Sequence, residues 1–107
     1  MVQEIRARDL AAALADNSAE PPLLLDVREA WEVQLCMIPG SLHIPMNLIP
    51  LRMSELPDTP IVVICHHGVR SAHVARFLLD AGFEQVLSLA GGVEAWAAEV
   101  DPQMARY

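Results

Sequence analysis

A run of four apolar residues, Ile61–Ile64, constrains the fold more than any other segment of the chain. Isoleucine and valine branch at Cβ, which suits an extended strand better than a helix. Because all four side chains are apolar, we expect both faces of this strand to be buried. A strand of this kind is typical of a parallel sheet that is covered by helices on each side.

The rest of the chain alternates strand patterns with helix patterns. Three further apolar runs predict strands, at residues 23–27, 42–44 and 86–89. Helical spacing of apolar residues predicts helices near residues 10–16, 28–35, 47–56, 70–81 and 93–100. Since parallel strands need crossover helices, we expect a single α/β domain over residues 1–107. Its core is predicted to be a central parallel sheet of about five short strands with helices on both faces.

Composition excludes several classes of function. The chain has 107 residues, 53% hydrophobic, and a formal net charge of −7, and its seven basic residues are all arginine. An acidic chain without a basic run is a poor candidate for binding nucleic acid or an anionic membrane. No apolar run approaches the roughly 20 residues of a membrane span. Two cysteines are too few for a disulfide scaffold, and the first residues lack a signal-peptide pattern, so we expect a cytoplasmic protein with reduced thiols.

A polar loop follows the central strand, where a parallel sheet places its ligands. Cys65 is the first residue after that strand, and a helix is predicted to begin near Arg70 and Ser71. The free N–H groups at a helix start attract anions and favour a thiolate over a thiol. Gly68 permits an unusual backbone turn, and Arg70 adds a permanent positive charge. The loop therefore predicts a nucleophilic cysteine in an anion-binding cradle, in preference to a cysteine of the core.

Several motifs together resemble the rhodanese family of sulfurtransferases. They are Cys65-x-x-Gly68-x-Arg70-Ser71, Gly82-Phe83 and Gly91-Gly92-Val93-x-Ala95-Trp96, with LLLDVRE at 23–29 and IPGS at 38–41 further upstream. The combination is specific, and the resemblance covers the chain from about residue 5 onward. One departure is Met37, which stands where many members have histidine, and we expect its effect to be structural and small.

The resemblance implies a single rhodanese-like domain that moves sulfane sulfur by double displacement. Cys65 would attack the outer sulfur of a donor such as thiosulfate, release sulfite and hold the sulfur as a persulfide. An acceptor, cyanide or a thiol, would then remove it, and no cofactor is implied. The substrate-binding cradle corresponds here to His66, His67, Gly68, Val69, Arg70 and Ser71, with Arg70 as the anchor of the donor.

Two other functions stay open at this point. One is a sulfur-relay or binding module that serves a specific protein partner, with small-molecule turnover incidental. A cysteine-based phosphatase or arsenate reductase is the less favoured alternative. Such enzymes with a similar fold have a loop one residue longer than the four residues that separate Cys65 from Arg70. A shorter loop suits a sulfur atom better than a phosphate group.

Structural roles are expected for the remaining polar residues and for Cys36. His66, His67 and His73 lie near Cys65 in sequence, but adjacent side chains diverge and no spaced ligand pair occurs elsewhere, so we predict no metal site. Asp26 and Arg28 are expected to form a buried hydrogen-bonded pair, with substrate contact as the alternative. Packing is expected for Cys36, with a role as resolving thiol left open. Ser71 is expected to cap the helix.

Overall fold

The computed structural model describes residues 2–107, which form a five-stranded parallel sheet with helices on both faces. The strands are β1 (Glu4–Ile5), β2 (Leu23–Asp26), β3 (Leu42–His43), β4 (Ile61–Ile64) and β5 (Val86–Leu89). Their order across the sheet is β1-β5-β4-β2-β3, and every neighbouring pair is parallel. The predicted fold class is confirmed. The sequence did not predict β1, because two residues are too few to show the alternation of side chains that indicates a strand.

Four helices connect these strands and a fifth follows the last strand: α1 (Ala7–Ala15), α2 (Ala30–Leu35), α3 (Ile49–Arg52), α4 (Val69–Asp80) and α5 (Gly92–Glu99). The helix predicted over residues 47–56 is divided, because α3 lies between two 3-10 turns, Met46–Leu48 and Met53–Glu55. Pro50 is in the first turn of α3, where its missing N–H is tolerated. None of the helices within residues 2–107 has the length and apolarity that crossing a bilayer requires.

The central strand β4 is buried on both faces, as its sequence predicts. Val63 belongs to a cluster with residues of α3 and α4, and Val62 and Ile64 belong to a second cluster with residues of α1 and α5. The two clusters are the two halves of the core, one on each side of the sheet. Cys65 follows directly after β4, so a well-packed element fixes its position.

The start of α5 holds the loop after β4 in place. The N–H of Val93 donates to the carbonyl oxygen of Cys65 at 2.9 Å, and the N–H of Glu94 donates to that of His66 at 3.2 Å. These donors lie in the first turn of α5, where a helix offers them no internal acceptor. Two N–H groups that have no acceptor within the helix are therefore paired with two loop carbonyls. These hydrogen bonds fix the orientation of the loop.

Gly92 makes this close approach feasible. Its φ is +59°, and a Cβ built at this position would lie 2.3 Å from the carbonyl oxygens of both Cys65 and His66. No side chain fits in that space without moving the loop, so glycine is required here on two grounds.

We expect Gly92→Ala to lower the free energy of unfolding by about 2 kcal/mol or more. A left-handed conformation costs an alanine about 1 kcal/mol, and the clash with the loop adds to it. Gly40→Ala is the matched control, because Gly40 also has a positive φ of +86° but nothing lies within 4 Å of its Cβ position. Urea unfolding of both variants measures the difference. Equal losses of unfolding free energy in the two variants would show that the close approach of Gly92 to the loop adds no cost beyond that of the positive φ.

Candidate active site

The sequence favoured a cradle over the core for Cys65, but the structure places Cys65 in the core cluster that contains Val63, with its own loop turned over the sulfur. Cys65 is 1% exposed, and its Sγ accepts a hydrogen bond from the N–H of Gly68 at 3.0 Å. Gly68 reaches this position with a φ of +105°, a conformation that favours glycine. The loop thus turns back over the sulfur and directs a main-chain donor at it. In the described residues this is one amide, where the sequence led us to expect a ring of them.

A pair of buried hydroxyls extends from the sulfur into the core. Ser71 Oγ lies 3.3 Å from the Sγ of Cys65 and 2.7 Å from the Oγ of Ser88. Ser88 comes from β5, the neighbour of β4, and both serines are fully buried. Sequence reasoning missed Ser88, because a single serine in a strand pattern shows only which face it occupies.

The expectation that Ser71 caps α4 was wrong. The residue that caps α4 is Gly68, with no side-chain hydrogen bond to the helix start, and Ser71 lies within the first turn. A buried hydroxyl needs a partner, and the thiol of Cys65 and the hydroxyl of Ser88 supply it. The sulfur therefore has one amide and one hydroxyl as polar neighbours.

Arg70 forms an ion pair with Glu32 of α2. Its Nη1 and Nη2 donate to the two carboxylate oxygens of Glu32 at 2.6 and 2.9 Å. The hydrogen bonds from Arg70 hold the pKa of Glu32 at about 2, despite the opposing effect of its burial. In return, Glu32 raises the pKa of Arg70, and the negative charge of a Cys65 thiolate adds a smaller effect in the same direction.

Glu32 carries more hydrogen bonds than its place in the sequence suggests. Its Oε1 also accepts the N–H of Glu29 at 2.9 Å, which is one half of a capping box at the start of α2. Its Oε2 accepts the hydroxyl of Tyr107 at 2.7 Å. Glu29 at the N-cap departs from the usual Ser/Thr-x-x-Glu pattern, so the sequence does not signal this cap. It gives no sign of the pairing with Arg70, which depends on how α2 and α4 meet.

Asp26 and Arg28 form the expected pair and are both fully buried. Arg28 donates through Nε at 2.9 Å and through Nη2 at 2.7 Å to the two oxygens of Asp26. It also donates to the carbonyl of Cys36 at 2.7 Å and to the hydroxyl of Tyr107 at 3.0 Å. Cys36 packs against the core cluster that contains Val62, which confirms its expected packing role.

The two histidines of the loop stack on each other and on Tyr107, so the expectation that their side chains diverge was wrong. The ring of His66 lies 3.9 Å from that of His67 and 3.8 Å from that of Tyr107, measured between centroids, and is nearly parallel to Tyr107 at 13°. The Nε2 atom of His66 is buried and has no hydrogen-bond partner. Burial is the main cause that lowers the pKa of His66, followed by the charge of His67. Sequence reasoning missed Tyr107, because residues 101–107 show no pattern.

The other candidate residues are more exposed. The side chains of His67, Val69 and His73 face solvent, and His73 lines a small apolar cavity with Met46 and Phe77. His73 is therefore not part of the site around Cys65. In residues 2–107, no group of three His, Cys, Asp or Glu side chains lies close enough together to hold a metal ion.

Comparison with known proteins gives a consistent result. The sequence pattern of the rhodanese-like domain matches residues 7–99. A sulfurtransferase of Allochromatium vinosum is 45% identical over 91% of this chain and 90% of its own length. The thiosulfate sulfurtransferase GlpE of Pseudoalteromonas translucida is 34% identical over 91% of this chain and 93% of its own length. The crystal structure of a rhodanese-like domain protein from Staphylococcus aureus superposes with a TM-score of 0.84 and 29% identity, over 92% of this chain and 95% of the other.

The family match covers the motifs that suggested it, from β2 through the loop of Cys65 to α5. Similarity in sequence and similarity in fold agree over almost the same residues. This chain belongs to the rhodanese family of sulfurtransferases.

Proposed function

We propose that this protein is a thiosulfate sulfurtransferase of the cytoplasm that carries sulfane sulfur on Cys65. The observation on which the proposal depends is the 3.0 Å hydrogen bond from the Gly68 N–H to the Cys65 Sγ. An N–H group directed at sulfur stabilises a thiolate or persulfide more than a thiol, because the acceptor is then charged. The name of the GlpE relative supports thiosulfate as the donor.

The reaction has two displacement steps. The Cys65 thiolate first attacks the outer sulfur of thiosulfate, a new S–S bond forms, and sulfite leaves with the electron pair of the donor's S–S bond. Cyanide or a thiolate then attacks the outer sulfur of the persulfide. The thiolate of Cys65 leaves with the electron pair of that bond and is regenerated. The atoms and electrons balance without a cofactor.

The surroundings of Cys65 suit an anionic sulfur in both steps. The N-terminal end of α4 lies at the loop, and its dipole favours negative charge there. When the hydroxyl of Ser88 donates to Ser71, the hydroxyl of Ser71 is free to donate to the sulfur. These donors are fixed before the charge develops, so little reorganisation is needed when it does.

Arg70 is proposed as the anchor of the donor. A guanidinium group has five N–H donors, and Glu32 takes one from each of the two Nη atoms. The remaining donors are available to the sulfonate oxygens of thiosulfate, since the side chain of Arg70 is 31% exposed. Glu32 cancels much of the net charge of Arg70, so recognition depends on directed hydrogen bonds more than on attraction at a distance.

A protein acceptor is the second candidate role, and exposed apolar side chains beside the site favour it. Val69, within the loop, is 67% exposed, and Trp31 on α2 is 60% exposed. Exposed apolar groups next to a reactive site are typical of surfaces that bind other proteins. A persulfide that discharges to a partner protein faster than to cyanide would identify this role.

Incubation with thiosulfate is expected to add the mass of one sulfur atom to the protein. The Cys36→Ser variant is the matched control and should gain the same mass, because Cys36 packs away from the loop. Cys65→Ser should gain nothing. Intact-mass spectrometry before and after treatment with a reducing thiol measures the gain and its reversal. Sulfur uptake by Cys65→Ser would contradict the proposed function.

Arg70→Ala is expected to slow persulfide formation from thiosulfate by about 10- to 100-fold, the worth of hydrogen bonds to a charged group. Formation from a neutral polysulfide should fall less, because that donor has no sulfonate to bind. Arg76→Ala is the control, since Arg76 lies on the same helix and forms only an exposed pair with Asp80. Rapid-quench mass measurements with both donors give the rates. Equal losses with the two donors would remove the anchoring role.

A further inference from the structure

Tyr107 contacts both α2 and the loop that follows Cys65. Its hydroxyl donates to Oε2 of Glu32 at 2.7 Å and accepts from Nη1 of Arg28 at 3.0 Å. Its ring stacks on His66 and meets the ring of Trp31 edge to face, with centroids 5.8 Å apart. Tyr107 lies in the segment 101–107 after α5, which forms no helix or strand.

We propose that Tyr107 is a positioning residue for sulfur transfer, which holds the Glu32–Arg70 pair and His66 in place beside Cys65. The inference rests on the proposed role of Cys65 as sulfur carrier. Tyr107 does not act on the transferred sulfur itself. It acts on His66, at the start of the loop, and through Glu32 on Arg70, in the first turn of α4.

The hydroxyl of Tyr107 connects two ion pairs of different character. The Asp26–Arg28 pair is completely buried, whereas the Glu32–Arg70 pair includes a partly exposed arginine. Arg28 is held by Asp26, and through the Tyr107 hydroxyl it fixes Oε2 of Glu32. Burial is the main cause that raises the pKa of Tyr107 to about 12. The hydroxyl therefore stays protonated, and remains a donor, throughout the neutral range. Arg70 is thus held from the core by a chain of hydrogen bonds.

The ring of Tyr107 restrains the loop itself. His66 is the residue next to Cys65, and its ring lies between the rings of Tyr107 and His67. With Nε2 buried and unpaired, His66 would gain hydrogen bonds by turning toward water. The stacked ring of Tyr107 opposes that rotation. It therefore helps to keep the peptide between Cys65 and Gly68 in the conformation that directs the Gly68 N–H at the sulfur.

Tyr107→Phe separates the two contributions, because it keeps the ring and removes the hydroxyl. We expect it to slow persulfide formation from thiosulfate about tenfold, the worth of one hydrogen bond to a charged group. The urea midpoint should fall as well, but the variant should stay folded, because Glu32 keeps Arg70 and Arg28 keeps Asp26 as partners. Tyr107→Leu should slow the step further, since the stack on His66 is lost as well. Gln103→Ala, an exposed position in the same segment, is the control and should load sulfur at the wild-type rate.

A spectroscopic measurement distinguishes positioning from a purely structural role. Tyr107 is the only tyrosine of the chain, so labelling with fluorotyrosine gives one fluorine NMR resonance. This resonance should move when thiosulfate loads Cys65, because Glu32, Arg70 and His66 connect the ring to the sulfur. It should also move in Glu32→Gln, where the hydroxyl loses a charged acceptor.

The outcomes separate the inference from the proposed function. If the wild-type protein takes up no sulfur, the proposed function fails and the inference fails with it. If the wild type is loaded and Tyr107→Phe is loaded at the same rate, only the inference is overturned. A fluorine resonance that stays in place on loading overturns it too. A slower Tyr107→Phe variant that is folded in the absence of urea, together with a resonance that moves, supports it.

Discussion

The site depends on two hydrogen bonds that the first turn of α5 donates to the loop of Cys65. They fix the carbonyl groups of Cys65 and His66, and thereby the planes of the two peptides that follow the sulfur. The positive φ of Gly68 then directs the N–H of this residue toward the Sγ of Cys65. The environment of the Cys65 sulfur is therefore set by a helix that contributes no side chain to it.

The charge balance of the site differs from what a cysteine and an arginine in one loop suggest. Arg28 and Arg70 are each paired with a carboxylate, so neither offers an uncompensated positive charge to an anion. The pKa of Glu32, at about 2, keeps the second pair ionised at any physiological pH. An anion is then stabilised by a main-chain N–H, a hydroxyl, a helix terminus and the guanidinium donors that Glu32 leaves free. Such donors act over short distances, which suits a chain with a net charge of −7.

Most of the fold and the position of the loop after β4 could be predicted from the sequence, because both depend on local patterns. The apolar run of β4 and the loop motif beginning at Cys65 are contiguous, and each is readable without a partner. The residues that were missed, Glu32, Ser88 and Tyr107, act through pairs whose members lie far apart in the chain. Such a pair exists only after the order of strands and the packing of helices are set. Ser71 was misread because a serine at a helix start has a local capping option, and here the buried thiol competes successfully for its hydroxyl.

The burial of Cys65 limits how a donor can reach it. The sulfur is 1% exposed, and the loop backbone is tied to α5, so a backbone opening would break main-chain hydrogen bonds inside the fold. Side-chain movement costs less, because Arg70 is partly exposed and His66 is held mainly by stacking. Glu32 and Tyr107 are the groups that restrain these two side chains. In the proposed function, the burial of Cys65 also shields its persulfide from unintended thiols.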